Sequence, residues 1–373
     1  MTASDSRSSG GVPVGRADPT GPLPPHHDPS GGFRNPWPPI RERDGGVLRW
    51  RRERKEKELA PDPGPGDLPR SRSRIARPRT PLGELWITWV GHSTFLLQMD
   101  GWNILTDPVW SPRASPFSWI GPRRFTPPGV AWEGLPPIDA VLLSHDHYDH
   151  LDAGTVRRLH DRFGSALRWF APLGHARWLA RRGIRGGREM DWWERRREDG
   201  FETACLPARH WTRRTPWDAG RRLWSSWSVR GPSGGSVYFG GDTGWFPEYP
   251  VIRRELGPFA ALLLPIGAYD PPWFMSPVHL SPEEAVRAWQ ELGGNGVFCA
   301  MHWGTFRLSD EDPLEPPRRV RAAWSERRLD DGLLWVPRHG ETRTVRLGRT
   351  TAEEGVPDPG GGTLDGGGGH KEH

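Results

Sequence analysis

The sequence has little cysteine: two in 373 residues, Cys205 and Cys299. They form no CxxC pair, which excludes a cysteine-based zinc finger. Both sit in apolar, strand-like contexts, ACLP and VFCAM. Buried free thiols in a reducing compartment suit that placement, and a bond between the two stays open. Long apolar runs are also absent. The longest, FAALLLPIGA from Phe259, is too short to span a bilayer. The first residues, MTASDSRSSGGVPVG, hold no apolar stretch of signal-peptide length. The expectation is a cytoplasmic chain.

Large apolar groups are scarce at both ends, and mean hydropathy is -0.69. Glycine (47 in all) and proline (41 in all) are enriched there. Residues 1–32 and 350–373 cannot bury enough surface to offset chain entropy, so they read as disordered tails. Residues 33–81 read as a basic N-terminal extension and linker. Within it, FRNPWPP has aromatics that can dock on a core, and VLRWRRERKEKEL reads as a short basic helix. That helix admits peripheral contact with an anionic membrane, although its apolar face (Val47, Leu48, Trp50, Leu59) is thin. Residues 60–81 read as an extended linker. The compact domain is expected over 82–349.

The net charge of +5 is carried almost entirely by arginine and is spread over the chain. With no added nucleic-acid-binding domain visible, it reads as a solvated surface, and no nucleic-acid partner is expected.

Tryptophan is abundant, at 22, and supplies large buried area per residue. Short β-type runs come first: ELWITWV, TFLLQM and WNILT. Strands and helices then alternate. DAVLLS is a nearly continuous apolar strand, and DAGTVRRLHDRF is a helix capped by Asp152. SPEEAVRAWQELGG is a helix with Ser281 and Glu284 as its capping box. This pattern predicts an α/β domain of two packed sheets with helices outside.

Several apolar strands end in residues that bind metals. AVLLS leads to His145, His147, Asp149 and His150. TACLPAR leads to His210, VYFGG to Asp242 and VFCAM to His302. Strand ends converge in space and hold side chains rigidly. Five imidazoles and two carboxylates without a thiolate suit zinc, and less specifically iron or manganese. Seven donors exceed one tetrahedral ion and suit two that share a carboxylate and a bridging water. Residues i and i+2 of an extended segment point the same way. His145 and His147 are therefore expected on one metal with His210, and Asp149 and His150 on the other with His302. Asp242 is expected to bridge. Burying so many polar groups together without a metal is costly.

HxHxDH (145–150), followed in order by His210, Asp242 and His302, resembles the metallo-β-lactamase superfamily. The resemblance extends to one branch, the N-acylphosphatidylethanolamine-hydrolysing phospholipase D family. It is carried by FRNPWP (33–38), WVGHSTFLLQMDG (89–101), LTDPVWSPRASP (105–116), LPPIDAVLLSHDHYDHLD (135–152), GGDTGW (240–245), PIGAYDPPWFM (265–275), HLSPEEAV (279–286) and MHWGTF (301–306). It implies an αββα sandwich with disordered tails and two Zn2+ per chain. The implied reaction is hydrolysis of a phospholipid or other phosphodiester by a bridging hydroxide. Asp149 and Asp242 are then catalytic. His279 faces the substrate phosphate or leaving group, and Tyr148 meets the substrate. Asp107 orients a ligand histidine, and His92 lies near the rim. Tyr269, Trp273 and Phe274 line an acyl channel or are ordinary core. The animal enzymes of the family have Asn where Asp146 stands and Gln where Val278 stands, which leaves substrate identity open. A lactonase on the same scaffold is the second reading and a nucleic-acid hydrolase the third. Acyl preference, the metal in use and the oligomeric state, with a dimer admitted, are not legible.

Overall fold

Two mixed sheets face each other, and the strand directions explain where the chemistry sits. The computed structural model describes the backbone of 13–14 and residues 23–38, 46–64 and 66–347. One sheet has seven strands in the order Thr342–Arg346, Glu84–Gly91, Thr94–Met99, Trp102–Thr106, Ala140–Leu142, Arg168–Pro172 and Arg188–Met190. The other has eight, in the order Pro13–Val14, Arg195–Glu198, Phe201–Leu206, Ser226–Arg230, Ser236–Phe239, Ala261–Pro265, Val297–Met301 and Leu334–Trp335.

Ala140–Leu142 lies between two parallel neighbours and is fully buried. A strand covered on both faces has no reason to alternate polar with apolar residues, hence the continuous DAVLLS. Trp102–Thr106 runs the same way, as does Glu84–Gly91 through two antiparallel steps. In the other sheet Ser236–Phe239, Ala261–Pro265 and Val297–Met301 are parallel, and Phe201–Leu206 shares their direction through two antiparallel steps. Every strand that leads to an expected ligand thus ends at a common edge.

Helices cover the outer faces. Ala153–Phe163 places Val156 and Leu159 against Leu105, Val141 and Trp169. It is capped by Asp152, which accepts from the Gly154 amide, and stopped by Gly164 at φ 59°. Pro282–Glu291 carries the full capping box and packs with Pro316–Glu326 outside the eight-stranded sheet. Trp89, Trp169, Trp227, Trp289 and Trp324 are fully buried. A buried indole N–H needs an acceptor, and here several acceptors lie beside the ligand loops. Trp227 in one sheet donates to the Leu143 carbonyl of the other at 2.9 Å, and Trp89 to that of His92 at 2.8 Å. Removing a core side chain of this size costs about 3–5 kcal/mol, so these tryptophans fix the sheets to each other and the loops to the sheets. Cys205 and Cys299 are free and buried, and burial pushes both thiols up.

Two expectations for the N-terminal part need correction. Residues 23–32 are not a disordered tail. They turn against the body, where His26 and His27 meet Asp191 and residue 27 pairs with Phe33. Residues 60–64 and 66–81, expected as an extended linker, are tied to the body. Ser71 N–H donates to the His339 carbonyl, Ala76 exchanges hydrogen bonds with Gln98, and Arg79 pairs with Asp139. Backbone polar groups laid along a packed surface need such partners. Residues 33–38 dock on the body: Trp37 stacks on Trp192 and donates to Glu248. The basic helix is present over Gly46–Glu56. The expected tail over residues 1–22 falls outside the described residues except for the backbone of 13–14, and that over 350–373 falls wholly outside them.

Candidate metal centre

The seven expected ligands come together at the shared edge, in two groups around Asp242. In the first, His145 Nε2 lies 2.9 Å from His147 Nδ1, which lies 3.1 Å from His210 Nε2. In the second, Asp149 Oδ2 lies 3.2 Å from His150 Nε2 and 3.5 Å from His302 Nε2. Asp242 Oδ2 stands between them. It is 3.2 Å from His150 Nε2, 3.1 Å from His302 Nε2, 3.8 Å from His210 Nε2 and 4.0 Å from His145 Nε2.

The residues fit divalent cations. Three imidazole nitrogens face one another at hydrogen-bond distance in the first group, and at most some of them can carry a proton. Asp242 Oδ1, His150 Nε2 and His302 Nε2 are buried without hydrogen-bond partners. Leaving such groups unpaired costs about 1–3 kcal/mol each. Cations ligated by nitrogen and oxygen remove that cost.

Partners behind the rings decide which nitrogen faces inward. His150 Nδ1 is held 2.7 Å from Asp107 Oδ2, and Asp107 also accepts from the Ser144 amide and hydroxyl. His210 Nδ1 is 2.9 Å from the Val278 carbonyl, and His145 Nδ1 is 2.8 Å from Ser144 Oγ. A histidine whose outer nitrogen is occupied presents the inner one as a ligand. Asp107 thus lies on the outer nitrogen of His150. Val278 is buried, and its carbonyl serves His210.

His92 is not at a rim. It is 1% exposed and its Nε2 lies 2.8 Å from Asp149 Oδ2. The sequence carried the same signal here as elsewhere: a histidine directly after an apolar strand, ELWITWVG. Its partner Asp149 is 57 residues away, which hid the pairing. His92, Asp107 and His302 all have left-handed backbone, at φ 56°, 31° and 62°. Non-glycine residues rarely adopt it, and its concentration here marks a strained, over-determined site.

Electrostatics split the two groups. Burial lowers His145 and His210 well below the usual histidine range and lowers His147 too. Burial also acts on His150, yet Asp242 and Asp149 outweigh it and hold His150 well above its ordinary value. His302 likewise rises to about 9 against burial because of Asp242 and Asp149. Burial works against ionisation of Asp149 and Asp242 as well, but His150 beside each holds both carboxyls well below their usual range.

The remaining expected residues lie around this centre. His279 Nδ1 is 3.8 Å from Asp242 Oδ2, and its side chain is 12% exposed, so it stands at the mouth. Burial pushes it down to about 3. Tyr148 donates its hydroxyl to the Arg214 carbonyl at 2.8 Å, with the Arg214 guanidinium over its ring. Asp146 turns away from the centre: it accepts from the Arg213 amide and pairs with Arg222 at 2.6 Å. Tyr269 donates to Glu315, Trp273 donates to Glu53 of the basic helix, and Phe274 stacks on Trp50. The aromatic loop is therefore packed against the N-terminal helix.

The comparisons with known proteins agree with this geometry. A profile of the β-lactamase superfamily domain matches residues 102–303. An uncharacterized protein of Mycobacterium tuberculosis is 44% identical over 243 residues, and the match spans 64% of each chain. The N-acyl-phosphatidylethanolamine-hydrolyzing phospholipase D 1 of Caenorhabditis elegans is 39% identical over 271 residues, 67% of this chain and 75% of that one. Among solved structures, a metallo hydrolase from Ignicoccus hospitalis aligns at 26% identity with a TM-score of 0.51, covering 70% of this chain and 98% of that one. With its two-sheet fold and its His/Asp cluster able to hold metal, the chain belongs to the metallo-β-lactamase superfamily, with an N-acyl-phosphatidylethanolamine-hydrolyzing phospholipase D among its relatives.

Proposed function

We propose that the chain is a two-metal phosphodiesterase of phospholipase D type acting on an N-acylphosphatidylethanolamine-like glycerophospholipid. The observation that carries the substrate is the 39% identity to the nematode phospholipase D across 75% of its length. When bound, two divalent cations, zinc in this reading, would neutralise charge on the phosphoryl oxygens and lower the pKa of water. The residues of the chain do the rest. His145, His147 and His210 hold one position, Asp149, His150 and His302 the other, and Asp242 serves both. His92 fixes one oxygen of Asp149, so this carboxylate is oriented to accept the proton of the attacking water. His279, at the mouth, donates a hydrogen bond to the phosphate or the leaving oxygen. Tyr148 lies beside the ligand loop as a wall for substrate.

A lipid substrate is also supported by the hairpin over 111–125. It follows Asp107 and returns to the site where the Phe125 amide donates to the Thr305 carbonyl. At its tip Phe117, Trp119 and Ile120 are 54%, 72% and 51% exposed. Clustered exposed apolar side chains suit an interfacial contact. No helix among the described residues is long and apolar enough to cross a membrane, so access to lipid in this reading is peripheral. The test is a product assay with N-acylated and ordinary phosphatidylethanolamine vesicles beside a lactone panel. Release of phosphatidic acid, lost in His302→Ala, is the expected result. Ring opening of a lactone without phosphatidic acid would overturn the phosphodiesterase reading in favour of a lactonase.

A further inference from the structure

Two histidines and an aspartate outside the centre form a second cluster with ligand chemistry. His26 and His27 lie in a tight turn, where the His27 amide donates to the Pro24 carbonyl and the Asp28 amide to that of Gly32. The turn brings the two rings to 4.7 Å, edge to face. Their Nε2 atoms converge on one carboxylate: His26 on Asp191 Oδ1 and His27 on Asp191 Oδ2, both at 2.7 Å. Asp191 is itself fixed, because Oδ1 also accepts from the Trp192 amide and its own amide donates to Glu194. His26 is 5% exposed and stacked on Trp192 at 4.2 Å.

Two imidazoles on one carboxylate satisfy hydrogen bonding, so a latch without an ion is the simpler reading. Three features argue for more. The three ligand atoms lie within 4.8 Å of one another, a spacing that small shifts convert into shared coordination. The donor set, two imidazoles and one carboxylate with no thiolate, suits zinc and its neighbours. The surroundings are negative: Glu248 lines the same groove, and Glu194 borders it.

We propose that His26, His27 and Asp191 bind one divalent cation of the zinc type, separate from the hydrolytic centre, and so clamp the N-terminal segment to the body. The clamp has a consequence for the centre. The Arg34 amide donates to the His26 carbonyl, and Asn35 Nδ2 donates to the His210 carbonyl at 2.8 Å. An ion at Asp191 thus sets the segment that supports a ligand loop from behind. The proposal does not depend on which reaction the centre performs.

The experiment uses the full chain with Co2+ and Zn2+ as probes. In a His145→Ala/Asp242→Ala background, which disables the centre, one equivalent of Co2+ should still bind saturably and give a visible absorption spectrum. Adding His26→Ala/His27→Ala should abolish it. Asp191→Asn, which keeps a carbonyl acceptor for the latch, should weaken it by at least about tenfold, as loss of a charged ligand implies. By mass spectrometry of metal content, His26→Ala/His27→Ala alone should hold one zinc fewer than the unaltered protein. No saturable cobalt binding in the disabled background would overturn the proposal and leave a hydrogen-bonded latch. Equal zinc content in the folded unaltered and double-variant proteins would overturn it too. Neither result would bear on the phosphodiesterase reading.

Discussion

The two halves of the metal centre are built from the same residue types but are not alike. Around His145, His147 and His210 the imidazoles face one another, and burial keeps them neutral. Around His150 and His302 each imidazole faces carboxylates that favour a proton. The difference teaches that a nearly symmetric donor count hides an asymmetric electrostatic design. One half offers free lone pairs. The other holds positive charge already, and a cation there takes the place of protons. What lies behind each half differs as well. Asp107 grips His150 directly, whereas Asp146 turns outward to Arg222.

The largest way to break this comparison is to remove what the halves share. Asp242→Ala is expected to lose both hydrolytic ions and to lower turnover by about a thousandfold or more, since several kcal/mol of charge stabilisation go with the ions. Metal analysis and the phosphatidic acid assay check it, and full activity without bound metal would sink the mechanism. Next come the halves separately. His147→Ala and His302→Ala should each cost one ion, and metal content measured against the unaltered chain should fall by one equivalent in each. Loss of both ions from either variant would show the halves to be inseparable.

Smaller effects sharpen the contrast. Asp107→Asn should weaken cation binding by about 10–100-fold, the usual cost of losing a carboxylate behind a ligand histidine, most in the half of His150, which it touches, and less in the half of His145, which it reaches through Ser144. Competition with a chelator resolves one strongly weakened ion and one less affected. Asp146→Asn should leave metal content unchanged and lower stability by about 1–3 kcal/mol, because an amide offers one acceptor oxygen where Asp146 accepts from both the Arg213 amide and Arg222, so one buried hydrogen bond and the ion pair are lost. Urea denaturation reads this directly.

The smallest effect comes from His175, buried behind the first half. Burial lowers it to about 4, with Asp146 opposing and Arg222 reinforcing the shift. The unfolded chain therefore takes up this proton first, near the ordinary histidine value of 6.5. Its contribution is complete above 6.5 and is lost as pH falls towards about 4. Urea midpoints across that window should decline in the unaltered protein and decline less in His175→Asn.

Much of this was legible because ligands follow apolar strands, and strand direction is a matter of topology. HxHxDH and the three later residues each carry that local mark. The edge strands Arg188–Met190, Leu334–Trp335 and Thr342–Arg346, and Arg195–Glu198 beside the two-residue edge strand Pro13–Val14, carry no such mark. They are short, and several are polar. At an edge, pairing to one neighbour suffices without an apolar pattern. The pairing of His26 with Asp191 spans 165 residues, and no local pattern encodes it. The strap over 66–81 looked like a linker because its hydrogen bonds to the body run to distant backbone and side chains.

The left-handed residues His92, Asp107 and His302 carry one more consequence. Each is a conformation that costs about 1–3 kcal/mol, borne whether or not an ion is present. A ligand that binds only the folded state stabilises it in proportion to the logarithm of its concentration over its dissociation constant. Resistance to heat and to proteolysis should therefore track the free metal level around the protein, so that metal starvation would act on how long the chain survives as well as on how fast it works.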